Sequence, residues 1–352
     1  MNNSTKKVFV GLSGGVDSSV AALLLKQQGY DVTGVYMKNW SKSLPGFHCP
    51  WREDYQDAKR VAVQLGIPFV MYDFEEEYFD KVVQYMLDEF KAGLTPNPDV
   101  MCNQEVKFKL FLDMCTDNGA DYIATGHYAN TADGKLYAAA DASKDQTYFL
   151  YRVKGEALKR TLFPLGNLKK TEVRKLAEKA GLVTANKKES MGICFVGKVG
   201  IKEFLSQYVE TKPGKIKDEN GVIVGEHDGA IFYTIGQRHG LNAGGGTPYY
   251  VTGKDMSKNE VHVTNKIDSE DLWQKSVNLT SLHWINKAAD DTKKYFVRTR
   301  HRGPLAFARI KPTDKSSKSF VIKFDEAQRA LTPGQSAVIY ADNEVMGGGI
   351  IA

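Results

Sequence analysis

The sequence is poor in cysteine and has no long apolar run. Cysteine accounts for only 4 of the 352 residues, too few for a disulfide scaffold, so the thiols are expected to be reduced. No apolar run approaches the ~20 residues that a membrane-spanning helix needs. The first residues, MNNSTKK, lead directly into VFVGL without the pattern of a signal or transit peptide. We therefore expect a cytoplasmic protein that does not contact a membrane.

An internal repeat and low-complexity tracts are also lacking, and the overall charge is small. Hydrophobic residues make up 42% and charged residues 25% of the chain, which is typical of globular proteins and excludes a fibrous or disordered chain. The net charge is +5, but it is unevenly distributed. Between Lys154 and Lys202 there are twelve lysines and arginines, four glutamates and no aspartate. A second basic cluster comprises Lys293, Lys294, Arg298, Arg300 and Arg302. These clusters are either solvated surface or a binding surface for a polyanion.

Strand and helix patterns alternate along the first half of the chain. The predicted strands are Val8–Leu12, Val32–Met37, Pro68–Tyr72 and Tyr122–Thr125, and the predicted helices are Asp17–Gln28, Arg52–Leu65, Glu76–Ala92 and Val106–Asn118. This alternation predicts an α/β domain with a doubly wound parallel sheet. Ligands of such sheets bind at the carboxyl ends of the strands.

The alternation fades after Leu150. Two further helices are predicted, at Thr171–Ala180 and Lys198–Tyr208, and from Thr211 onward short strands are separated by glycine-rich turns. Asn220-Gly221 is a strong hairpin signal. We expect an α/β domain at 1–205, a small β-rich central domain at 206–270 and a C-terminal β-barrel at 271–352.

The most specific local motif lies between the first predicted strand and the first predicted helix. Glycines there let the backbone turn tightly around a phosphate, while serine hydroxyls and the helix N-terminus supply donors and positive potential. The loop lacks the lysine of the ordinary P-loop, GxxxxGK[ST]. The structural alternative is a glycine-rich turn in which Asp17 caps the helix. The residues of this motif, here called the phosphate loop, are Gly11, Leu12, Ser13, Gly14, Gly15, Val16, Asp17 and Ser18.

The phosphate loop resembles the PP-loop of ATP pyrophosphatases. The resemblance implies that ATP is cleaved between its α- and β-phosphates and that a carbonyl or carboxylate oxygen is adenylated. It also implies that the loop holds pyrophosphate, with Asp17 near a Mg²⁺ ion. Because this superfamily contains synthetases of small metabolites as well as tRNA-modifying enzymes, the loop alone leaves the acceptor open.

Two cysteines lie in polar surroundings. Cys102 follows Thr95-Pro-Asn-Pro-Asp-Val-Met in a predicted loop, and Cys194 lies in Glu189-Ser-Met-Gly-Ile-Cys-Phe. Each is either a nucleophile with a lowered pKa or a buried packing residue. Cys49 and Cys115 are interpreted as packing residues.

The segments TPNPDVMCNQEVKF, ATGHYA, KDQTYFL, ESMGICF and TIGQRHGL together resemble the tRNA-specific 2-thiouridylases of the MnmA type, in the order of that family and over nearly the whole chain. The resemblance implies that Cys102 is the nucleophile and that Cys194 carries a persulfide. Met37 and Gly126 would line the adenosine. The implied contacts with the target base and the tRNA are Asn97, Pro98, Asp99, Lys144, Asp145, Gln146, His301 and Arg302.

One of these positions departs from the family pattern. The family has a TRYRQ-like run near the C-terminus, whereas this chain has Thr299-Arg-His-Arg-Gly, so His301 replaces the tyrosine and Arg302 is retained. His127, in Gly-His-Tyr, is interpreted as structural or nucleotide-adjacent in preference to an acid–base catalyst. The run Phe108–Phe111 is interpreted as core.

The implied reaction replaces the C2 oxygen of a wobble uridine by sulfur. The uridine lies in the anticodon stem-loop of tRNA for Lys, Glu or Gln. ATP and Mg²⁺ would activate the oxygen, and a cysteine desulfurase or relay protein would supply the sulfur. Cys102 would either attack the persulfide, leaving a Cys102–Cys194 disulfide, or assist direct attack. The alternatives are an iron–sulfur cluster held by Asp99, Cys102 and Cys194, a ligase of a small metabolite, or a non-enzymatic RNA-binding scaffold.

Overall fold

The computed structural model describes residues 5–43, 49–188, 200–242, 246, 248–313 and 319–352. Its first sheet is parallel throughout, with the strand order β3-β2-β1-β4-β7. Val8 and Val10 in the central strand are fully buried, as expected for a sheet that is covered on both faces. The strands are β1 Lys7–Gly11, β2 Asp31–Lys38, β3 Phe69–Asp73, β4 Tyr122–Ala124 and β7 Thr161–Leu162.

Helices connect these strands, and the predicted doubly wound α/β fold is confirmed. Two predicted helices contain π-helical turns, at Phe79–Val83 and at Cys102–Leu110. The helices are α1 Val16–Gln27, α2 Trp51–Leu65, α3 Glu75–Tyr78, α4 Gln84–Lys91, α5 Pro98–Met101, α6 Phe111–Asp117, α7 Gly155–Lys159, α8 Lys170–Lys179 and α9 Ile201–Leu205.

The prediction of a loop around Cys102 is wrong, because this segment is helical. Asn97 is the N-cap and accepts a hydrogen bond from the Val100 amide at 3.4 Å, and Pro98 occupies the first turn. Asparagine at the cap and proline at the first helical position are helix-start signals that the sequence contained. Helix α5 continues through the π-helical turns into α6, and we call this unit, residues 98–117, the cysteine helix.

The central part of the chain forms a four-stranded sheet in the order β10-β11-β8-β9. Its strands are β8 Gly214–Lys217, β9 Ile223–His227, β10 Tyr250–Asp255 and β11 Glu260–Thr264. The hairpin predicted at Asn220-Gly221 is confirmed, because β8 and β9 are antiparallel and Gly221 has φ +78°. The buried side chains of Ile216, Val251 and Val261 form part of its core.

The C-terminal part forms a closed antiparallel β-barrel, as predicted. The strand order is β12-β15-β14-β13-β16-β17, and β12 pairs with β17 to close it. The strands are β12 Trp273–Trp284, β13 Lys294–Arg298, β14 Ala306–Pro312, β15 Phe320–Arg329, β16 Ser336–Ala341 and β17 Glu344–Ile351.

Contacts distant in sequence join the barrel to the α/β part. The hairpin of β5 (Asn130–Ala132) and β6 (Lys135–Tyr137) was not predicted, and it extends the barrel sheet through pairing with β17. The Thr95 amide donates to the Pro333 carbonyl at 2.9 Å, and the Tyr148 hydroxyl donates to the Ser336 carbonyl at 2.9 Å. Barrel residues can therefore contribute to a site in the α/β part.

Among the described residues, the structure contains no helix long and apolar enough to cross a bilayer.

Candidate functional site

The phosphate loop joins the carboxyl end of β1 to helix α1. The Ser18 hydroxyl accepts a hydrogen bond from the Ser13 amide at 3.1 Å and donates to the Gly15 carbonyl at 3.1 Å, which folds the loop back on itself. Gly15 is the N-cap of α1, and no side chain caps the first turn. The first amides of this helix are therefore available to an anion. The alternative in which Asp17 caps the helix is wrong.

Two glycines allow the backbone to pack closely around this loop. Gly14 has φ +73°, and a Cβ there would lie 2.3 Å from the Asp54 carbonyl oxygen. A Cβ on Gly126, which follows β4, would lie 2.6 Å from the Ser18 amide nitrogen. Met37 lies beside the start of the loop, because its Cε would be 2.9 Å from a Cβ on Gly11. Met37 and Gly126 therefore flank the phosphate loop.

Asp17 is paired within the described part of the chain. Both of its carboxylate oxygens lie 2.7 Å from the Lys170 ammonium nitrogen, and the Tyr128 hydroxyl donates to Oδ1 at 2.9 Å. Lys170 occupies the first turn of α8, whose backbone is held by a hydrogen bond from the Lys170 amide to Asp141 Oδ2 at 2.9 Å. The loop that lacks a lysine of its own thus has one beside it.

A cavity of about 260 Å³ opens beside the phosphate loop. Five cationic side chains and only two carboxylates line it. One carboxylate, Asp17, is paired with Lys170, and the other, Asp54, is 2.7 Å from Lys187. The cations are Lys144, Lys170, Lys187, Lys188 and Arg302. This excess of positive charge suits a polyanionic ligand such as a chain of phosphates.

Lys187 remains charged at this cavity. Burial opposes its charge, but hydrogen bonds to Asp54 and Asp57, both at 2.7 Å, raise the pKa of Lys187 above its usual value. The sequence placed Lys170, Lys187 and Lys188 in the first basic cluster without assigning any of them to the phosphate loop. Tyr128 and Asp54 were also missed, and no local pattern marked them.

The barrel contributes to the cavity through the loop that joins β13 to β14, residues 299–305, here called the barrel loop. His301 and Arg302 line the cavity together with Ser13 and Asp17. The His301 ring packs against the Phe149 ring, with the centroids 4.4 Å apart and the ring planes tilted by 39°. Burial and the positive charges of Arg302 and Arg298 lower the pKa of His301, so its imidazole is neutral at neutral pH.

Only two residues of the predicted tRNA-contacting segment 144–146 face the cavity. Lys144 and Gln146 line the cavity, and the Gln146 side-chain oxygen accepts from the Tyr128 amide at 2.9 Å. Asp145 is only 5% exposed. It accepts hydrogen bonds from the Ala139 amide at 2.8 Å and the Thr147 hydroxyl at 2.6 Å, and it lies 3.6 Å from Arg298 Nη1. Asp145 therefore positions its neighbours and faces the protein interior.

The cysteine helix and its cap carry four of the predicted target-base and thiol positions, which are Asn97, Pro98, Asp99 and Cys102. Burial raises the pKa of the Asp99 carboxyl above its usual value, although the positive charge of Lys107 acts to lower it. Cys102 is 2% exposed. Cys194 lies outside the described residues, so the structure does not test the approach of the two thiols.

The cysteine helix packs against the edge of the sheet that bears the phosphate loop. Phe108 lies 5.7 Å from the His127 ring, between ring centroids, and Phe111 Cε1 would lie 3.7 Å from a Cβ on Gly11. His127 Nδ1 is 2.7 Å from the Thr125 hydroxyl, and burial lowers the pKa of this histidine well below its usual value. Phe108 and Phe111 are core residues, and His127 is a buried, neutral packing residue.

The two remaining cysteines lie in the protein interior. Cys49 and Cys115 are both buried, and burial raises the pKa of the Cys115 thiol. Within the described ranges, no group of three or more histidine, cysteine, aspartate or glutamate side chains is arranged to hold a metal ion.

Three family models match successive parts of the chain. They are the tRNA methyl transferase HUP domain at residues 6–198, the tRNA methyl transferase PRC-barrel domain at 202–265 and the aminomethyltransferase beta-barrel domain at 274–351.

Curated relatives match almost the full length. A protein of Pediococcus pentosaceus named tRNA-specific 2-thiouridylase MnmA is 47% identical, over 99% of this chain and 96% of its own. Proteins of Geobacillus kaustophilus (48% identical, 98% and 94%) and Streptococcus agalactiae (47% identical, 99% and 96%) carry the names tRNA-specific 2-thiouridylase MnmA 2 and tRNA-specific 2-thiouridylase MnmA. Among solved structures, a 4-thiouridine synthetase–RNA complex with bound ATP is 20% identical over 57% of this chain and 50% of its own, with a TM-score of 0.39, too low to support a functional comparison.

Proposed function

The chain belongs to the tRNA-specific 2-thiouridylase family, and we propose that it uses ATP to replace the C2 oxygen of the wobble uridine of tRNA by sulfur. One observation carries the proposal: the phosphate loop and its cationic cavity lie at one edge of the parallel sheet, and the helix that bears Cys102 packs against that edge through Phe108 and Phe111. Such an edge is where parallel α/β sheets bind their ligands. Nucleotide activation and thiol chemistry can therefore act on one base.

The first step is adenylation of the C2 oxygen, which is otherwise a poor leaving group. The open N-terminus of α1 and the amides of the phosphate loop bind the phosphates, and Met37 and Gly126 flank the adenosine. Lys170 and Lys187 face the cavity where pyrophosphate would leave. Cations and amides that are already oriented stabilise the charge that develops on a leaving group. The products of this step are the adenylated base and pyrophosphate.

The donor set also fits a Mg²⁺ ion that arrives with ATP. Mg²⁺ is usually held by one or two carboxylates together with phosphate oxygens. Asp17 is the carboxylate beside the loop, and both of its oxygens contact Lys170 in this structure. Asp17 would therefore bind the ion once Lys170 turns to the phosphates. Bound Mg²⁺ supplies charge neutralisation of pyrophosphate.

The second step delivers sulfur to C2. A persulfide on Cys194, loaded by a cysteine desulfurase or a relay protein, supplies the sulfur. In one route the Cys102 thiolate attacks the Sγ atom of Cys194. Sulfide departs with the electron pair of the broken S–S bond, and a Cys102–Cys194 disulfide remains. Sulfide then displaces AMP from C2, and an external thiol reduces the disulfide by two electrons before the next turnover.

In the other route the terminal persulfide sulfur attacks C2 directly and AMP leaves. Cys102 then attacks Cys194 Sγ, which breaks the S–S bond, leaves the thiocarbonyl on the base and forms a Cys102–Cys194 disulfide that an external thiol reduces. Both routes need the two sulfur atoms within bonding reach, and disulfide formation needs Cα atoms within about 7 Å.

The tRNA substrate is bound through the basic surface and the residues at the cavity. We propose that Lys144, Gln146, His301 and Arg302 lie near the anticodon stem-loop of tRNA for Lys, Glu or Gln, and that Asn97, Pro98 and Asp99 contact the extruded base. The proposed domains are 1–205, 206–270 and 271–352, and the proposed location is the cytoplasm.

An iron–sulfur cluster held by Asp99, Cys102 and Cys194 is the alternative route for sulfur. It requires iron and acid-labile sulfide in protein purified without oxygen, together with loss of activity when iron is removed. Full activity of the metal-free protein would eliminate it.

The decisive experiment is mass analysis of nucleosides from tRNA incubated with the protein, ATP, Mg²⁺ and a sulfide source. The expected products are 2-thiouridine and one AMP for each modified base. Because the matching models are described as methyl transferases, a parallel reaction with S-adenosylmethionine instead of ATP is the matched control. A methylated uridine in that reaction, without 2-thiouridine in the first, would contradict the proposal.

A further inference from the structure

The barrel loop reaches the same cavity as the phosphate loop. Arg302 lines the cavity with Ser13, Gly15 and Asp17, although it lies in a different part of the fold. We propose that Arg302 is an ATP ligand that contacts the β- and γ-phosphates, so that the barrel completes the nucleotide site. This inference rests on the proposed use of ATP and adds a phosphate-binding residue to it.

The charges around the cavity leave the guanidinium available. Each cavity carboxylate already has a lysine partner, Asp17 with Lys170 and Asp54 with Lys187. Arg302 is exposed, and no ion pair links it to another described residue. A guanidinium without a carboxylate partner at a phosphate-sized cavity suits bidentate binding of phosphate oxygens.

The backbone at Arg302 points to the same conclusion. Its φ is +58°, in the left-handed region that residues with a Cβ seldom adopt. A residue held in such a conformation at a cavity suggests a functional constraint. Glycine would meet this backbone requirement without strain, so the presence of arginine is explained by its side chain.

Packing holds the barrel loop beside the cavity. The His301 ring packs against the Phe149 ring, with the ring centroids 4.4 Å apart. Arg298, at the end of β13, pairs with the buried Asp145 at 3.6 Å. The Phe149 carbonyl accepts a hydrogen bond from the Asn103 side chain at 3.1 Å. Asn103 follows Cys102, so Phe149 contacts both the barrel loop and the cysteine helix. The barrel loop that bears Arg302 is therefore linked through Phe149 to the cysteine helix.

The test is ATP binding by the full-length protein without tRNA, measured calorimetrically with an analogue whose α–β bridge cannot be cleaved. Arg302→Gly is the main variant because glycine tolerates this φ, and Arg302→Asn is a second variant because asparagine also tolerates it. We expect each substitution to weaken the affinity for the analogue about tenfold or more, as for loss of a charge-assisted contact. AMP, which lacks the outer phosphates, should bind with less than a twofold change. Lys311→Ala, at an exposed position of β14 outside the cavity lining and both basic clusters, should leave both affinities unchanged.

Unchanged affinity of the folded Arg302 variants for the analogue would overturn the inference, and a loss of tRNA affinity alone would make Arg302 an RNA contact only. In either case the wild-type protein would still bind the analogue, and the proposed function would stand. If the wild-type protein itself failed to bind the analogue, the ATP step of the proposed function would be wrong and the inference would fall with it.

Discussion

The Nζ atom of Lys170 lies 2.7 Å from each carboxylate oxygen of Asp17, across 153 positions of sequence. Asp17 belongs to a phosphate loop that lacks the usual lysine, and Lys170 lies at the start of α8. The chain therefore supplies from a second element the cation that the loop omits. Both side chains line the cavity beside the phosphate loop.

Replacing Lys170 by methionine is expected to reduce tRNA-dependent AMP formation about tenfold to a hundredfold, because one charged donor to the phosphates is lost. The measurement is the rate of AMP release from labelled ATP. Lys59→Met, at an exposed position of α2 outside the cavity lining and both basic clusters, should retain the wild-type rate. Equal rates of AMP release by the two variants would show that Lys170 is not part of the nucleotide site.

Replacing Asp17 by alanine should stop ATP-dependent AMP formation with little effect on the fold. The side chain is 31% exposed, so its removal leaves no buried cavity, but Lys170 loses its partner and the proposed Mg²⁺ ion would lose a ligand. AMP release and the thermal midpoint should be measured on the same preparation. Undiminished AMP release would show that Asp17 is not part of the nucleotide site.

Gly126→Ala is expected to lower the free energy of unfolding by about 1–3 kcal/mol, as for overpacking of a core. Its Cβ would lie 2.6 Å from the Ser18 amide nitrogen, so α1 and the phosphate loop must move. Urea denaturation and AMP release should both respond. Gly253→Ala is the matched control, because no atom lies within 4 Å of a Cβ at that position. Similar effects of the two substitutions would contradict the packing explanation.

Cys194→Ser should abolish 2-thiouridine formation while tRNA binding and AMP release continue, because adenylation does not use the persulfide. Cys102→Ser should also abolish thiolation. Cys49→Ala tests whether loss of any buried thiol has the same effect, and it should retain activity. Normal thiolation by the Cys194→Ser variant would refute the persulfide assignment.

The stability of the protein should fall as the pH is lowered below about 6.5, the usual pKa of histidine. Burial lowers the pKa of His127 in the folded state, so the unfolded chain binds more protons and folding loses free energy as the pH falls. The limiting slope for one such group is about 1.4 kcal/mol per pH unit. The free energy of unfolding between pH 7.5 and 5.5 should have a smaller slope in His127→Gln than in the wild type. His227, His283 and His301 also have pKa values lowered by burial and add to this slope, whereas the raised carboxyl pKa values of Glu89 and Asp99 oppose it.

Local sequence predicted the fold well because periodicity and turn residues are local properties. The alternation of strands and helices, the glycine-rich loop between β1 and α1, and the hairpin at Asn220-Gly221 all appear in the structure. The main local error concerned Cys102, where the prolines were interpreted as a loop although Asn97 and Pro98 begin a helix. The hairpin of β5 and β6 was missed because its pairing partner, β17, lies about two hundred residues later.

The sequence by itself determined the parallel sheet, the C-terminal barrel and the loop that can cradle a phosphate, since each depends on residues that are near neighbours in the chain. Only the tertiary structure decided which cations serve that loop. Lys170, Lys187 and Arg302 are three among many basic residues, and a charge carries no mark of its partner in the linear sequence. Burial and chain crossing bring these three to the cavity that Asp17 and Asp54 line, and the same packing turns Asp145 inward while Lys144 and Gln146 face the cavity.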